Sequence, residues 1–560
     1  MAELSAMMLK PEVQRTTAIS ETQRRPVVAA TVENVFARLP GSESSKAILL
    51  LCHYDSVQNG PGASDDGAAV AAMLEAARAL LVGPKLKNDV VFLFSDAEEV
   101  GQLGAQAFVD QSPMASDIGI VLNFEARGTG GPSIMFESSN DDGWLIEGLA
   151  RAAPFPVANS LGPEVYKRLP NDTDLTIFKR NGFSGLNFAF IDGVARYHTK
   201  MDNLEEVDQA SLQHHGSYMV SLARYFGNLN LEHTRSKNHT YFTLPGSILV
   251  HYRQDLALPL LALVTLLLIA MVVVGFKMKQ LTFYGIFVGF MALLLSAACS
   301  AGGISLAWVL IRFVRNDYLS VSQDPAKNDS LYLLGFTVLA IAITLGIYGL
   351  LGRKTPVQDM IVGGLIWWLV GAAITSIYLP GTSFLFVWPL LFGILPLAYL
   401  FWSRGRASTS LAFRALLFLF AIPGFLLFVP IIYLLFLADF WRAISIIAVM
   451  TVFLGSLLSP ALTSITFTRK WLLPLGAGLA SIGLLTTALL TDRFDSRHPF
   501  TDNIFYAVNT VSGKAVWSTI DRAPDEWTSQ FFAKGVETGS LTDCLPFSNA
   551  RFMKSQAPTI

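Results

Sequence analysis

Cysteine is scarce in this sequence: Cys52, Cys299 and Cys544 are the only three in 560 residues, one in each region distinguished below. Three thiols so placed cannot build a disulfide framework, and their count does not identify a redox compartment. A dominant charge is missing too. Lys and Arg total 41 against 43 Asp and Glu, so the formal net charge is -2, and no basic face offers itself to nucleic acid. Charge is also nearly absent from the apolar runs of the second half, where almost every Asp, Glu, Lys and Arg falls in a loop or at a run's end. Transporters of protons or ions keep ionisable groups in mid-membrane, so a transport role has weak support.

What is present divides the chain in two. At 560 residues it is too long for one core. Residues 1 to about 245 mix apolar, charged and turn residues as a soluble domain does, whereas 256–491 carry repeated apolar runs of about 20 residues, the length of a membrane span. Eight spans are expected, at about 256–276, 282–313, 331–351, 361–379, 384–402, 415–437, 443–465 and 471–490. Splitting the long second run at "SAACSAGG" would reverse every later orientation, and the basic residues arbitrate. Lys277 and Lys279, then Arg353 and Lys354, then Arg404, Arg406 and Arg414, then Arg469 and Lys470 mark alternate loops as cytoplasmic, provided the second run is one tilted span. The N-terminal domain and the tail then face the same non-cytoplasmic side. The tail reads "NIFYAVNTVSGKAVWSTID", two β-rich runs about Ser512 and Gly513, so a small β domain with a hairpin is expected, its aromatics forming its core. The expected organisation is 1–232 a catalytic domain, 233–255 a linker, 256–491 the membrane domain and 492–560 the β-rich tail.

In the first domain, strand-like runs at 47–52, 89–94, 118–124 and 184–190 alternate with helical patterns at about 67–81, from about 101, and near 142–152 and 208–226. That order implies an α/β fold with a mostly parallel central sheet and helices on both faces. Ligands of such sheets bind at the carboxyl ends of the strands. His53 follows the first run, Glu98 and Glu99 the second, Glu125 the third, and His198 the fourth, while Asp65 lies in the Gly-rich loop "NGPGASDDG". Singly, each is an ordinary cap or turn residue. Together, two imidazoles and several carboxylates on one sheet edge form a nitrogen and oxygen set suited to zinc or another divalent transition metal. Adjacent acids such as Glu98 and Glu99 raise each other's pKa unless a cation compensates them. Neighbouring side chains leave an extended backbone in different directions, so one can hold a metal while the other serves as general base towards water whose pKa a metal lowers to ~7.

The strings "HYDS" at 53–56, "GASDDGAAV" at 62–70, "SDAEEVGQLGA" at 95–105, "NFEARGTGG" at 123–131 and "YHTKMDN" at 197–203 resemble the co-catalytic zinc aminopeptidase family, which includes bacterial leucyl aminopeptidases and glutamate carboxypeptidases. The likeness covers roughly residues 28–228. The membrane half and tail resemble the multi-span branch of endoplasmic-reticulum and vacuolar membrane metallopeptidases. By that resemblance His53, Asp65 and Glu125 hold one zinc and Asp65, Glu99 and His198 a second, with Asp65 bridging. Glu98 is the general base, Asp55 steadies the His53 imidazole or meets substrate, and Tyr197 helps hold the oxyanion. Many soluble relatives have Asp where this chain has Glu125; the membrane branch often has Glu.

The resemblance thus implies a membrane-anchored metallo-exopeptidase, most simply an aminopeptidase, with two zinc ions, peptide substrates, a lipid bilayer and no nucleic acid as its partners. The rival readings are a non-catalytic receptor or scaffold on the same fold, and transport coupled to the domain. Arg127 has two readings, a partner for a substrate carboxylate or a tie between its loop and nearby carbonyls. His214 and His215 read as surface or packing residues, and Asp172 and Asp174 in "NDTD" as shapers of a pocket. Branch relatives generally carry an apolar span ahead of the peptidase domain. The opening "MAELSAMMLKPEVQRTTAISETQRRPVV" starts in what reads as the domain's first helix and holds no such span or signal-peptide core, so one is expected to be encoded upstream.

Overall fold

The structure, a computed structural model, describes all residues except 21–26, 44–45, 316–328, 404–409, 466–470, 492–503, 510, 520–525, 533–535, 541–551 and 559–560. These residues form two compact units, one of Met1–Leu293, Leu350–Phe440 and Phe453–Ile465, the other of Leu294–Gly349, Trp441–Val452 and Thr466–Ile560.

The first unit is built on a seven-stranded sheet. Its strands are β1 (Glu12–Ser20), β2 (Val28–Leu39), β3 (Ala47–His53), β4 (Asp89–Ser95), β5 (Ile118–Ala126), β6 (Ile134–Ser138) and β7 (Ser184–Phe190), in spatial order β1-β2-β4-β3-β5-β7-β6. The central four, β4, β3, β5 and β7, are parallel; β1, β2 and β6 pair antiparallel at the edges. All seven residues of β3 are buried, as an apolar run covered on both faces must be. The helices that cover it are α2 (Gly67–Val82), α3 (Leu103–Gln111), α4 (Gly143–Ala152), α6 (Asp174–Arg180) and α7 (Gln209–Phe226), with short α1 (Ala2–Ala6) and α5 (Leu161–Tyr166) outside them. Ile48, Leu50 and Cys52 pack with residues of α2, α4 and α7, while Leu49 and Leu51 pack with those of α3 and α6. The period of two along β3 thus feeds two cores.

The opening segment corrects one expectation. Helix α1 ends at Ala6, and the rest of the supposed first helix leads into β1, because Pro11 removes a donor and holds Lys10 extended, and "VQRTTAIS" is rich in β-branched residues. Residues 233–255, read as a linker, contain the hairpin of β8 (His239–Leu244) and β9 (Ile248–Arg253).

The apolar half holds α8 (Ala257–Lys277), α9 (Phe283–Val314), α10 (Asp329–Leu351), α11 (Val357–Tyr378), α12 (Phe384–Trp402), α13 (Leu411–Ile465) and α14 (Leu472–Thr491). The long second run is one helix, α9, as the basic loops require. Among the described residues seven helices are long and apolar enough to cross a membrane, and Ile444–Ser459 is a shorter apolar stretch. The sixth and seventh expected spans therefore lie in one helix, α13. The junction "ADFWR" at 438–442, read as a loop, is helical; it contains neither Gly nor Pro to stop the helix.

Within the first unit the two ends of the membrane helices differ. At one end the Thr282 hydroxyl donates to Asp359 (2.7 Å), Gln358 Nε2 to the Gln280 carbonyl (3.1 Å) and Gln280 Nε2 to the Phe401 carbonyl (3.3 Å), close to Lys277 and Lys279 in sequence. At the other, Ser160 Oγ donates to the Gly381 carbonyl (2.5 Å) and Phe242 stacks on Phe384 with ring centroids 4.8 Å apart. The α/β domain is docked on the end remote from those lysines.

In the second unit, β10 (Phe505–Asn509), β11 (Lys514–Thr519), β12 (Glu537–Gly539) and β13 (Phe552–Ala557) form a four-stranded sheet in the order β10-β11-β13-β12. The expected hairpin joins β10 to β11, with Asn509 opposite Lys514. Trp517 lies between Tyr506 and Phe531, at centroid distances of 5.1 and 4.9 Å, but it is only partly buried and Phe505 is exposed, so the expected aromatic core is formed only in part.

Candidate metal centre

The parallel strands end together, and their ends carry the polar residues. His53 closes β3 beside Ser95 at the end of β4, Glu125 is the penultimate residue of β5, and His198 lies in the loop beyond β7. Just past β4, Ala97 takes a left-handed φ of 56°. That conformation is uncommon for a residue with a Cβ, and it turns the chain sharply ahead of Glu98 and Glu99. The turn is held by Asp55, whose carboxylate oxygens accept the amides of Glu98 (3.0 Å) and Glu99 (3.2 Å).

All five expected ligands converge. His53 Nε2 is 3.3 Å from Asp65 Oδ1 and 3.5 Å from Glu125 Oε2. His198 Nε2 is 3.1 Å from Asp65 Oδ2 and 3.1 Å from Glu99 Oε2. Asp65 therefore turns one oxygen to each imidazole. His53 Nδ1 is 2.9 Å from the backbone carbonyl of Asp55, which fixes the proton there and leaves Nε2 as the free lone pair. The imidazole is steadied mainly by that carbonyl, since the Asp55 carboxylate stands at 3.4 Å.

The electrostatics call for a cation. Burial alone would lower the pKa of both histidines, but the carboxylates outweigh it: Asp55, Asp65 and Glu125 hold His53 well above its ordinary value, and Asp65 and Glu99 push His198 up to about 9. Burial, then the charge of Glu125, pushes Glu98 well above the usual carboxylate range. Protons are thus gathered where a divalent ion would serve the same purpose. The second carboxylate oxygen of Glu99, Oε1, is buried without a hydrogen-bond partner, which is costly unless something else satisfies it. The donor set is nitrogen and carboxylate oxygen. The residues fit a divalent metal.

Asp66 was not anticipated. Its ligand atom lies with those of His53 and Glu125, all within 4.8 Å of one another. One of its oxygens accepts the His53 amide at 3.2 Å and the other has no partner. Burial, with the charges of Glu125 and Asp65, keeps its pKa well raised. The paired acids of "SDDG" were the available signal, the same one that drew attention to Glu98 and Glu99.

Other supporting residues also escaped the sequence. Gln102 Nε2 donates to Glu98 Oε1 at 3.1 Å. Asp202, in "YHTKMDN", accepts the amides of Ser64 (2.7 Å) and Asp65 (3.0 Å) and so sets the Asp65 loop. Behind Glu125, Asn123 donates to its Oε1 (2.9 Å) and to Asn187 Oδ1 (3.1 Å), while Asn187 donates to Glu137 (2.9 Å). Buried His215 reaches the Glu125 carbonyl (3.0 Å) and the Ser133 hydroxyl (2.7 Å), a packing role as expected. Half-exposed His214 accepts the Ser133 amide at 3.1 Å.

Asp65, Glu98, Glu125 and Tyr197 line a cavity of about 1120 Å³, counting its part open to solvent. The Tyr197 ring stacks on His198 with centroids 3.7 Å apart, and burial beside Asp65 and Glu99 raises its phenol pKa, so it stays a hydrogen-bond donor. Arg127 and Asp172 also line the cavity; Arg127 Nε has no hydrogen-bond partner, so the tie through that atom to nearby carbonyls is not made. Asp174 lies beneath, bonded to Ser95, and burial raises its pKa to about 7.

Residues 34–223 match the family model described as Peptidase family M28. Endoplasmic reticulum metallopeptidase 1 of Rattus norvegicus is 34% identical over 230 residues, 40% of this chain and 26% of the relative. The vacuolar membrane protease of Yarrowia lipolytica is 36% identical over 189 residues, 32% of this chain and 18% of the relative. The match to the first of these spans about a quarter of its length. Among solved structures, an aminopeptidase from Aneurinibacillus sp. strain AM-1 aligns at 21% identity and a TM-score of 0.30, over 38% of this chain and 52% of that one.

Proposed function

We propose that this chain, whose residues 34–223 form a peptidase family M28 domain, is a membrane-bound exopeptidase of the aminopeptidase type that hydrolyses peptide bonds at a two-zinc site. The observation that carries the reading is the Asp65 carboxylate, which presents one oxygen to the His53 group and the other to the His198 group. His53, Asp65 and Glu125 would hold one ion, with Asp66 beside them, and Asp65, Glu99 and His198 the other. Bound zinc supplies a Lewis acid for the scissile carbonyl and lowers the pKa of water.

The chain's own groups do the rest. Glu98, buried and raised in pKa, is suited to accept a proton from the attacking water and return it to the leaving amine. Gln102 holds its carboxylate in position. The Tyr197 phenol donates a hydrogen bond where negative charge develops on the carbonyl oxygen. Hydrolysis balances: water adds across the C–N bond, its oxygen to the carbonyl carbon and its protons to the amine and carboxyl products.

The non-cytoplasmic side is the proposed location of the peptidase domain. In support, the domain docks on the end of α11 and α12 opposite to the end near Lys277 and Lys279, and basic loops favour the cytoplasm. The enzymatic reading is tested by release of chromophore from amino-acid 4-nitroanilides by the purified full chain. Hydrolysis should stop with a chelator and return with zinc; a rate indifferent to chelator would defeat it.

A further inference from the structure

The cavity that holds the candidate site is not made by the peptidase domain alone. Beyond Asp65, Glu98, Glu125 and Tyr197 it is lined by apolar residues of that domain, among them Met135, Phe136, Leu161 and Val165, and by Ile431, Leu434 and Leu435 of α13. All belong to the first compact unit. We propose that the membrane helix α13 is a wall of the substrate pocket, and that Ile431, Leu434 and Leu435 complete a site for the large apolar side chain of the residue at the scissile bond. The inference rests on the peptidase reading above and names its substrate class.

Three observations converge on it. First, Ile431 lies 20 residues after the start of α13 at Leu411, a rise of about 30 Å, which matches the hydrocarbon thickness of a bilayer. The three side chains therefore lie in the last two turns of the apolar stretch Leu411–Leu437, near one end of that candidate span. Second, the wall is tied to the catalytic loops. Tyr433 Oη donates to Asp192 Oδ2 at 3.4 Å, and the Asp192 carbonyl accepts the amides of Thr129 (2.9 Å) and Gly130 (3.1 Å), in the loop that follows Glu125. The bonds of Ser160 to Gly381 and the stacking of Phe242 on Phe384 hold the same domain to neighbouring helices. Third, the chemistry of the wall selects. Ile431, Leu434 and Leu435 carry no polar side-chain atom, so a charged or amide side chain laid against them would lose hydration without gaining a hydrogen bond from them.

The test uses the full chain in detergent or nanodiscs, with kcat/KM measured on the 4-nitroanilides of Ala, Leu and Phe. A Leu434→Ala, Leu435→Ala double variant should lower the Leu-to-Ala ratio of kcat/KM by about tenfold or more, since each methylene lost from an apolar pocket counts at that level. Val429→Ala, on the same helix, 50% exposed and outside the cavity, should keep the parental ratio. A double variant that hydrolyses with the parental ratio overturns the inference and leaves the peptidase reading standing. If that variant does not fold, Leu434→Phe decides: a lowered Phe-to-Ala ratio supports the wall and an unchanged one overturns it. A parent without chelator-sensitive hydrolysis overturns the peptidase reading, and this inference with it.

Discussion

At the scale of single residues, Glu98 and Glu99 are neighbours with different surroundings. Glu99 faces His198 and keeps a buried oxygen without a partner, whereas Glu98 is held by Gln102 and buried against Glu125. Glu98→Gln should therefore cut kcat by about 10²–10⁴-fold while metal content stays at the parental level. A kcat within a few fold of the parent would show that another group takes the proton. Asp202 acts through Asp65 and not on substrate. Asp202→Ala leaves the amides of Ser64 and Asp65 buried and unpaired, at a cost of about 1–3 kcal/mol each, and should weaken zinc retention against a chelator. Asp202→Asn keeps one acceptor oxygen and should recover part of that retention. Equal chelator sensitivity in parent and Asp202→Ala would remove Asp202 from the account.

At the scale of elements, the site depends on how α7 meets the end of β5. His215 on α7 is fully buried, and burial lowers its pKa from 6.5 to about 4. The unfolded chain takes up this proton at about pH 6.5 and the folded chain only near 4. Its contribution is therefore complete above 6.5 and is lost as pH falls towards 4, by about 3 kcal/mol in total. Thermal unfolding from pH 7.5 to 4.5 should show a steeper fall in Tm for the parent than for His215→Gln; parallel curves would contradict the burial argument. Reading these elements from sequence succeeds where both faces of a strand are buried. β3, β4, β5 and β7 are apolar runs and stand out, whereas β1 and β2 alternate polar and apolar residues with an exposed face, and "EVQRTTAIS" does not separate itself from a loop or helix. The five proposed ligands were legible because each sits at or just beyond a strand end or in a Gly-rich loop. Asp202 and Asp65 are 137 positions apart, and only the closed fold brings them together. Asn123 and Asn187 carried a usable sign: a lone amide within each of two buried strands, "LNF" in both, which pair in register and must satisfy each other.

At the scale of the whole molecule, the apolar half supplies candidate spans, and the docked end of α11 and α12 supports the proposed orientation. Val82 is 86% exposed on the α/β domain, so Val82→Cys should react with a membrane-impermeant maleimide from the non-cytoplasmic side, and Lys354→Cys only from the cytoplasmic side. The reverse pattern would invert the proposed topology. The central claim, however, is that Asp65 joins two metal groups in one site. Zinc counted per chain by mass spectrometry, in the purified parent and in Asp65→Asn, tests it most directly. The account predicts two zinc ions per parent chain and fewer than one in Asp65→Asn, because one substitution removes a ligand from both groups; a parent with one zinc or none, or a variant that keeps two, would contradict it.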